Sequence, residues 1–487
     1  MNDYSLPAKP QAPSNTDEER WQHSALRRRL LTGLWEQDLE NELLRHLPTD
    51  RREALGPSDL SSCAIEQVTR QLAMLYHSDP NVTNDSGDIS LLVGRDGYVT
   101  KAGYFQLMQR IQQMTLGIRE MFVRVDVAPH IPGETARVPG LCFRSVSPDF
   151  VIAAASPDAP DIPLYYQELR LRMHPETGEP LWVWDILDIR DKNNPLFGMF
   201  EATPGGEIGK DMSEIYMGHE TMRGDAYPYR GRDGSPFLPV VLYHAEKTGQ
   251  LFNAFDASTL AWGSLTSACL LSFYVHCVRD NSWPQKYVAG LHVSGLSQLE
   301  NDLTGRRSAI STDPSSILMF QTDPDMQGQP LIGSFSYADP DKLLESIAKY
   351  EYRVATAAGI SSEVLRQSGD PRSGYALSIS RDGQREAQRR YAPVFRRADE
   401  EMLAKCAMLC NRFLGASLPE TGYRVVYTPL GLSPEEMKAQ REDIIQKLSA
   451  GLISPVDAMQ MLNPDLDPIE AKQQLERIRQ ERAQYTI

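Results

Sequence analysis

The 487-residue chain is 41% hydrophobic and 24% charged, ordinary values for a soluble protein with room for several cores, and its formal net charge is −15. That acidity argues against gripping nucleic acid through phosphates as the main activity, because phosphate-binding proteins are usually basic at least locally. The six cysteines (63, 142, 269, 277, 406 and 410) form no CxxC pair, so neither a zinc site nor a disulfide framework is signalled, and reducing cytoplasm fits this usage.

Residues 1 to about 15 are rich in Pro, Ala, Ser and Asn and are read as disordered, with no signal-peptide pattern. Thr16 to Leu47 is predicted as one helix, with Leu30, Leu34 and Leu43 on its inner face. The run Arg27-Arg28-Arg29 is read as a solvated helix face, with contact to phosphate or a partner protein as the other reading. Ser58 to Tyr76 is a second helix with Ile65, Val68, Leu72 and Leu75 inward, and "SDPNVTNDSG" after it is a loop. Tyr104 to Met121 is a third, and "MFVRVDV" leaves it as an alternating strand.

From Ala136 to Ala202 the pattern changes to short strands, and "PETGEP" marks a hairpin. Residues 203–238 are loop-rich, and "LPVVLYH" returns as a strand. Ala257 to Val278 then holds no Asp, Glu, Lys or Arg. Its length suits a bilayer. Ser258, Thr259, Ser264, Thr266, Ser267, Ser272 and His276 interrupt it, and no basic flank orients it. It is therefore read as a helix buried against protein, with Gly263, Ser267 and Ala268 allowing close contact, and no membrane is expected.

Residues 284–338 read as short strands inserted between two helices. Asp339 can cap the second helix and Pro340 suits its first turn, with Leu343, Ile347, Tyr350, Val354 and Ala358 on one face and Gly359 ending it. A loop rich in serine and glycine follows, and the helical pattern resumes from Tyr375 to about Ala416, with Tyr391, Val394, Phe395, Ala398, Met402, Leu409 and Phe413 on its apolar face. Gly383 weakens that helix and Pro393 should kink it. Arg381, Arg385, Arg389, Arg390, Arg396 and Arg397 alternate with Asp382, Glu386, Asp399 and Glu400, which reads as intersubunit or i,i+4 pairing. Cys406 and Cys410, four apart on the helix, read as two buried thiols, with a metal or redox role as the other reading. "GYRVVYTP" at 422–429 is one more strand, and 433–487 is helical, broken and restarted at "AGLISPVDAM".

Catalytic motifs are missing. "GGEIGK" at 205–210 has its glycines too close for a P-loop and Asp211 where Ser or Thr belongs. "DPDMQG" at 323–328 lacks the closing Glu of a calcium loop. No HExxH, GxSxG or GxGxxG occurs, so no cofactor, metal or catalytic residue is nominated.

The stretch "AGISSEVLRQSGDPRSGYALSISRDGQREAQRRYAPVFRRADEEML", preceded by an amphipathic helix, resembles the portal proteins of tailed bacteriophages, as does "QVTRQLAMLYHSDPNV" near the start. The order of elements fits too, and the resemblance covers nearly the whole chain. It implies an α+β, mostly helical portal fold: an N-terminal arm and helix (1–50), a strand-containing wing (51–254) and a first stem helix (255–283). A small α/β clip (284–338), a second stem helix (339–359) and a tunnel loop (360–374) come next. A long kinked helix with a strand returning to the wing (375–432) and a helical crown (433–487) complete it. The function it implies is a homo-oligomeric ring, typically of twelve copies, at one capsid vertex of the virion, assembled in host cytoplasm. Such a ring conducts double-stranded DNA during packaging and ejection and binds terminase, the major capsid protein and head–tail adaptors, without catalysis. On that footing Arg366, Gln367, Ser368, Asp370, Arg372 and Ser373 line the DNA channel. Arg366 and Arg372 are candidates for transient phosphate contact, with an intersubunit salt bridge as the equal alternative. An acidic wall suits a conduit, because it keeps phosphate from sticking. The competing readings are another virion structural or adaptor protein, and an unrecognised nucleic-acid enzyme.

Overall fold

A computed structural model describes residues 15–56, 58–61, 63–127, 140–175, 177–203, 208–253, 258–282, 286–289, 317–320, 331–334, 339–357, 374–430, 434–462 and 472–478; the chain mixes helix and strand throughout. The arm 1–14 lies outside the described residues. The single helix expected over 16–47 is two, α1 (Asn15–Thr32) and α2 (Glu36–His46). Gly33 sits at φ +78° between them, a conformation that only glycine takes at no steric cost. The break turns Leu34 outward (68% exposed) and gives its inward place to Trp35, beside Leu30, Leu39 and Leu43.

The Arg27–Arg29 run is not a solvated face. Arg27 is fully buried and donates to the Ile118 carbonyl, Arg28 pairs with Asp149, and Arg29 binds both oxygens of Asp38 at 2.7 Å. The following helices are α3 (Thr49–Leu55), α4 (Ala64–Leu72), the short α5 (Ser90–Val93) and α6 (Tyr98–Lys101), and α7 (Tyr104–Ile118). Ile65, Val68 and Leu75 face the core as expected. Within the expected loop 78–87, Asn81–Asn84 instead forms strand β1.

Strand β2 (Glu120–Val127) is the middle of a three-stranded antiparallel sheet, between β3 (Leu141–Val146) and a later strand, Val240–His244. Its first six residues are all buried, because both faces are covered, so the expected alternation is lost. Next to it β4 (Val151–Ser156), β5 (Ala159–Met173), β6 (Pro180–Asp188), β7 (Leu196–Ala202) and β8 (Ile208–Asp211) form an antiparallel meander, with β9 (Met222–Arg223) on β7. The β5–β6 hairpin closes where "PETGEP" predicts, with Met173 opposite Pro180. A short helix α8 (Ser213–Met217) follows the meander, and Val240–His244 is β10.

Helices α9 (Ser258–Ser282) and α10 (Pro340–Ala357) pack antiparallel. Val354 lies against Gly263, and one turn on the Ser267 hydroxyl donates to Glu351. Thr259–Arg279 is long and apolar enough to cross a membrane by length and composition, yet Ala261, Leu265, Ala268 and Cys269 are buried against α2, α4 and α10. Between the two helices, β11 (Lys286–Ala289) runs parallel to β12 (Ile317–Phe320) and antiparallel to β13 (Leu331–Ser334). The Asp339 carboxylate caps α10, accepting the Asp341 N–H at 3.1 Å. On α10, Ile347 and Val354 are buried and Leu343 and Tyr350 half-buried; Ala358 and Gly359 lie outside the described residues.

The long helix, Gly374–Phe413, continues through Pro393, where the missing N–H deprives the Arg389 carbonyl of its partner. Its 40 residues span about 60 Å. Phe395, Met402, Leu409 and the thiols of Cys406 and Cys410 are fully buried. Phe413, expected inward, is 45% exposed in the last turn and meets the edge of Tyr229. Strand β14 (Tyr423–Val426) then returns to pair antiparallel with β1, Asn81 opposite Val426. Two helices, Pro434–Ser449 and Pro455–Leu462, and about two turns of helix at 472–478 end the described chain. Ser454 and Asp457 make a reciprocal capping box at the restart.

Candidate functional site

The long helix is held at several points along its length. The main anchor is Asp399. It lies on the apolar stripe between Phe395 and Met402 and is fully buried. Four tyrosine hydroxyls converge on its carboxylate: Tyr76 and Tyr427 on Oδ2 at 2.8 and 2.7 Å, Tyr104 and Tyr243 on Oδ1 at 2.8 and 2.9 Å. The hydroxyls of Tyr104 and Tyr243 are themselves 2.6 Å apart. The donors come from the end of the α4 region, the start of α7, the middle of β10 and the residue after β14, so one carboxylate ties four elements to the helix. Burial pushes the Asp399 carboxyl up, and the four hydroxyls offset part of that rise. Burial and the nearby carboxylate push all four phenols well up, so they act as donors and not as nucleophiles.

Asp399 is thus no member of the interleaved ion pairs expected for this helix. Two of its arginines reach acids elsewhere in the same chain: Arg390 binds Glu246, and Arg397 lies 3.7 Å from Asp161. Gln388 adds two bonds to the stretch after β14, to the Thr428 carbonyl (2.8 Å) and the Leu430 N–H (3.2 Å).

A second buried centre joins the two sheets. Arg124 on β2 is 3.0 Å from Asp126, 3.2 Å from Asp185 and 3.5 Å from Glu168. Strand register sets Glu168 opposite Asp185 and Arg124 opposite Arg144. Arg144 binds Glu168, Arg172 binds Asp185 at 2.9 Å, and Tyr166 donates to Glu168 at 2.9 Å. Burial acts to lower the Arg124 guanidinium, and the facing acids outweigh it and hold it well above its ordinary value. Removing one partner from such a buried network is costly, because it leaves the others uncompensated.

A third tie holds the approach to α9. Glu120 is fully buried and accepts the Asn253 N–H at 3.0 Å. Burial pushes its carboxyl up to about 7, against the opposing pull of that N–H and of Arg20, Arg27 and Arg119. Arg20 donates to the carbonyls of Pro148 and Val151, both at 2.7 Å, and lies 3.7 Å over the Phe252 ring.

The chemistry of these centres is that of holding. Burial pushes the Cys63 thiol up to about 11 and those of Cys269 and Cys410 up to about 12, away from reactive thiolate. Among the described residues no group of three or more His, Cys, Asp or Glu could hold a metal ion. Arg366, Gln367, Ser368, Asp370, Arg372 and Ser373 lie outside the described residues; Ala357 and Gly374 are the described ends on either side. The sequence reading missed the tyrosine-caged aspartate. Its one local signal was an acid on an apolar helix stripe, while the four tyrosines are scattered along the chain.

No family model and no curated protein matches the chain. Among solved structures, one described as the neck of the native GTA particle computed with C12 symmetry overlays 82% of this chain and 88% of its own. The identity is 12% and the TM-score 0.37, a likeness too slight to bear on function.

Proposed function

We propose that the chain is a portal protein, forming a ring at one capsid vertex through which viral DNA is packaged and ejected. The observation that carries this reading is the connectivity of the second half of the chain. Helix α9, a three-stranded insertion and antiparallel α10 are followed by the Arg366-bearing segment, a helix of 40 residues, and a strand that returns to pair near the start of the chain. That order is the one the sequence resemblance implies. The net charge of −15, multiplied round a ring, suits a channel that must not retain DNA. The proposed partners are further copies of the chain, the DNA, terminase, the major capsid protein and head–tail adaptors, and the role is non-catalytic.

The test is deletion of Arg366–Ser373. Assembly should proceed as in the parent while packaging or retention of DNA fails. Loss of assembly in the deletion would contradict a channel-facing position.

A further inference from the structure

A cleft of about 260 Å³ opens between α1, α2 and α9. Leu26 and Leu265 are buried in its floor, and the Trp262 indole stands at its wall, 39% exposed. The Arg45 guanidinium lies 5.8 Å over that indole, and Gln22 and Asn41 line the rim with amide groups. A flat aromatic wall beside side-chain N–H donors is the recognition surface for a polyproline II segment, whose carbonyls have no internal partners.

The chain carries a sequence pattern that suits such recognition. Pro7, Pro10 and Pro13 recur every third residue in "SLPAKPQAPS", immediately before α1. In a polyproline II helix, which turns once in about three residues, prolines at that spacing share one face. Reach is sufficient: fourteen residues extend about 43 Å at 3.1 Å each, whereas Gln22 and Leu26 lie only about 11–17 Å along α1 from Asn15. Because the arm is tethered next to the cleft, its effective concentration there is on the order of millimolar.

We infer that the N-terminal arm, through Pro7, Pro10 and Pro13, docks in cis against Trp262 in the cleft between α1, α2 and α9. This dock covers the one exposed indole on the outer surface of α9. It fixes the arm's direction relative to the helix pair.

The test uses full-length chains and a fluorescein-labelled peptide of residues 5–14, read by anisotropy. In the parent the cleft is occupied by its own arm. A full-length variant with Pro7, Pro10 and Pro13 changed to glycine leaves it vacant, and should bind the peptide about tenfold more tightly or better. Adding Trp262→Ala to that variant should abolish binding, and adding Gln22→Ala with Asn41→Ala, both outside the core, should weaken it severalfold. Equal peptide affinity for parent and glycine variant would overturn the inference, as would binding that survives both the Trp262→Ala and the Gln22→Ala/Asn41→Ala changes. Parent affinity for the peptide that rises on diluting the protein would assign the arm to a second copy and overturn docking in cis.

Discussion

Asp399 shows what a single buried carboxylate can do when its whole surroundings donate to it. Four hydroxyls from four elements share it, so removing it strands four buried donors at once. Asp399→Ala should cost on the order of 3–5 kcal/mol in denaturant unfolding, and Asp399→Asn clearly less, because an amide oxygen still accepts. A loss below about 1 kcal/mol for the alanine variant would mean the tyrosines find other partners. Glu120 makes a second residue-scale prediction. Its folded carboxyl titrates near 7, above its ordinary 4.5, so its contribution to stability is complete below pH 4.5 and is lost as pH rises through about 7. The effect is worth roughly 3 kcal/mol. Glu120→Gln removes this term, so the variant should gain on the parent steadily between pH 4.5 and 7. Parallel stability curves for the two proteins would show that Glu120 does not carry the effect. Neither residue's role was legible as such. An acid on an apolar stripe can be seen in the sequence, but partners as distant as Tyr76 and Tyr427 have no local signature.

At the scale of elements, the contact of α9 with α10 turns on Gly263. A methyl added there would meet the Val354 side chain at 2.6 Å. Gly263→Ala should therefore push the helices apart and cost about 1–3 kcal/mol. The double variant Gly263→Ala/Val354→Ala should recover part of that loss, a coupling measurable as a double-mutant cycle. Strictly additive losses would show that the two side chains do not meet. Periodicity made most of these elements readable: α7, the β5–β6 hairpin, α9, α10 and the long helix lie close to where their patterns put them. The break at Gly33 was a local signal passed over; the other failures came from long-range packing that outweighed a local pattern. Asn81–Asn84 looked like a loop because "NVTN" is polar, and it is a strand because β14 pairs with it from the far end of the chain. The arginine run in α1 looked solvated because nothing local marks the Ile118 carbonyl or Asp149 as partners.

For the molecule as a whole, the long helix runs into the main core. Its C-terminal part, from Phe395 to Cys410, is buried in the main core, and Asp399 fixes its axial position against β10 and α7. Before Pro393, Ala387 and Tyr391 are buried in the same core, Gln388 bonds to the stretch after β14, and Arg390 pairs with Glu246. The surface also keeps large apolar side chains in the open: Val275 and Val278 on α9, Leu344 and Tyr352 on α10. A ring of copies gives such residues neighbours. The measurement that tests this account most directly is the mass of the purified protein in solution, with negative-stain images of the same sample, alone and with scaffold or capsid protein. The account predicts closed rings of about twelve copies with a central channel. A monomer or dimer that persists at high concentration and with those partners present would contradict it.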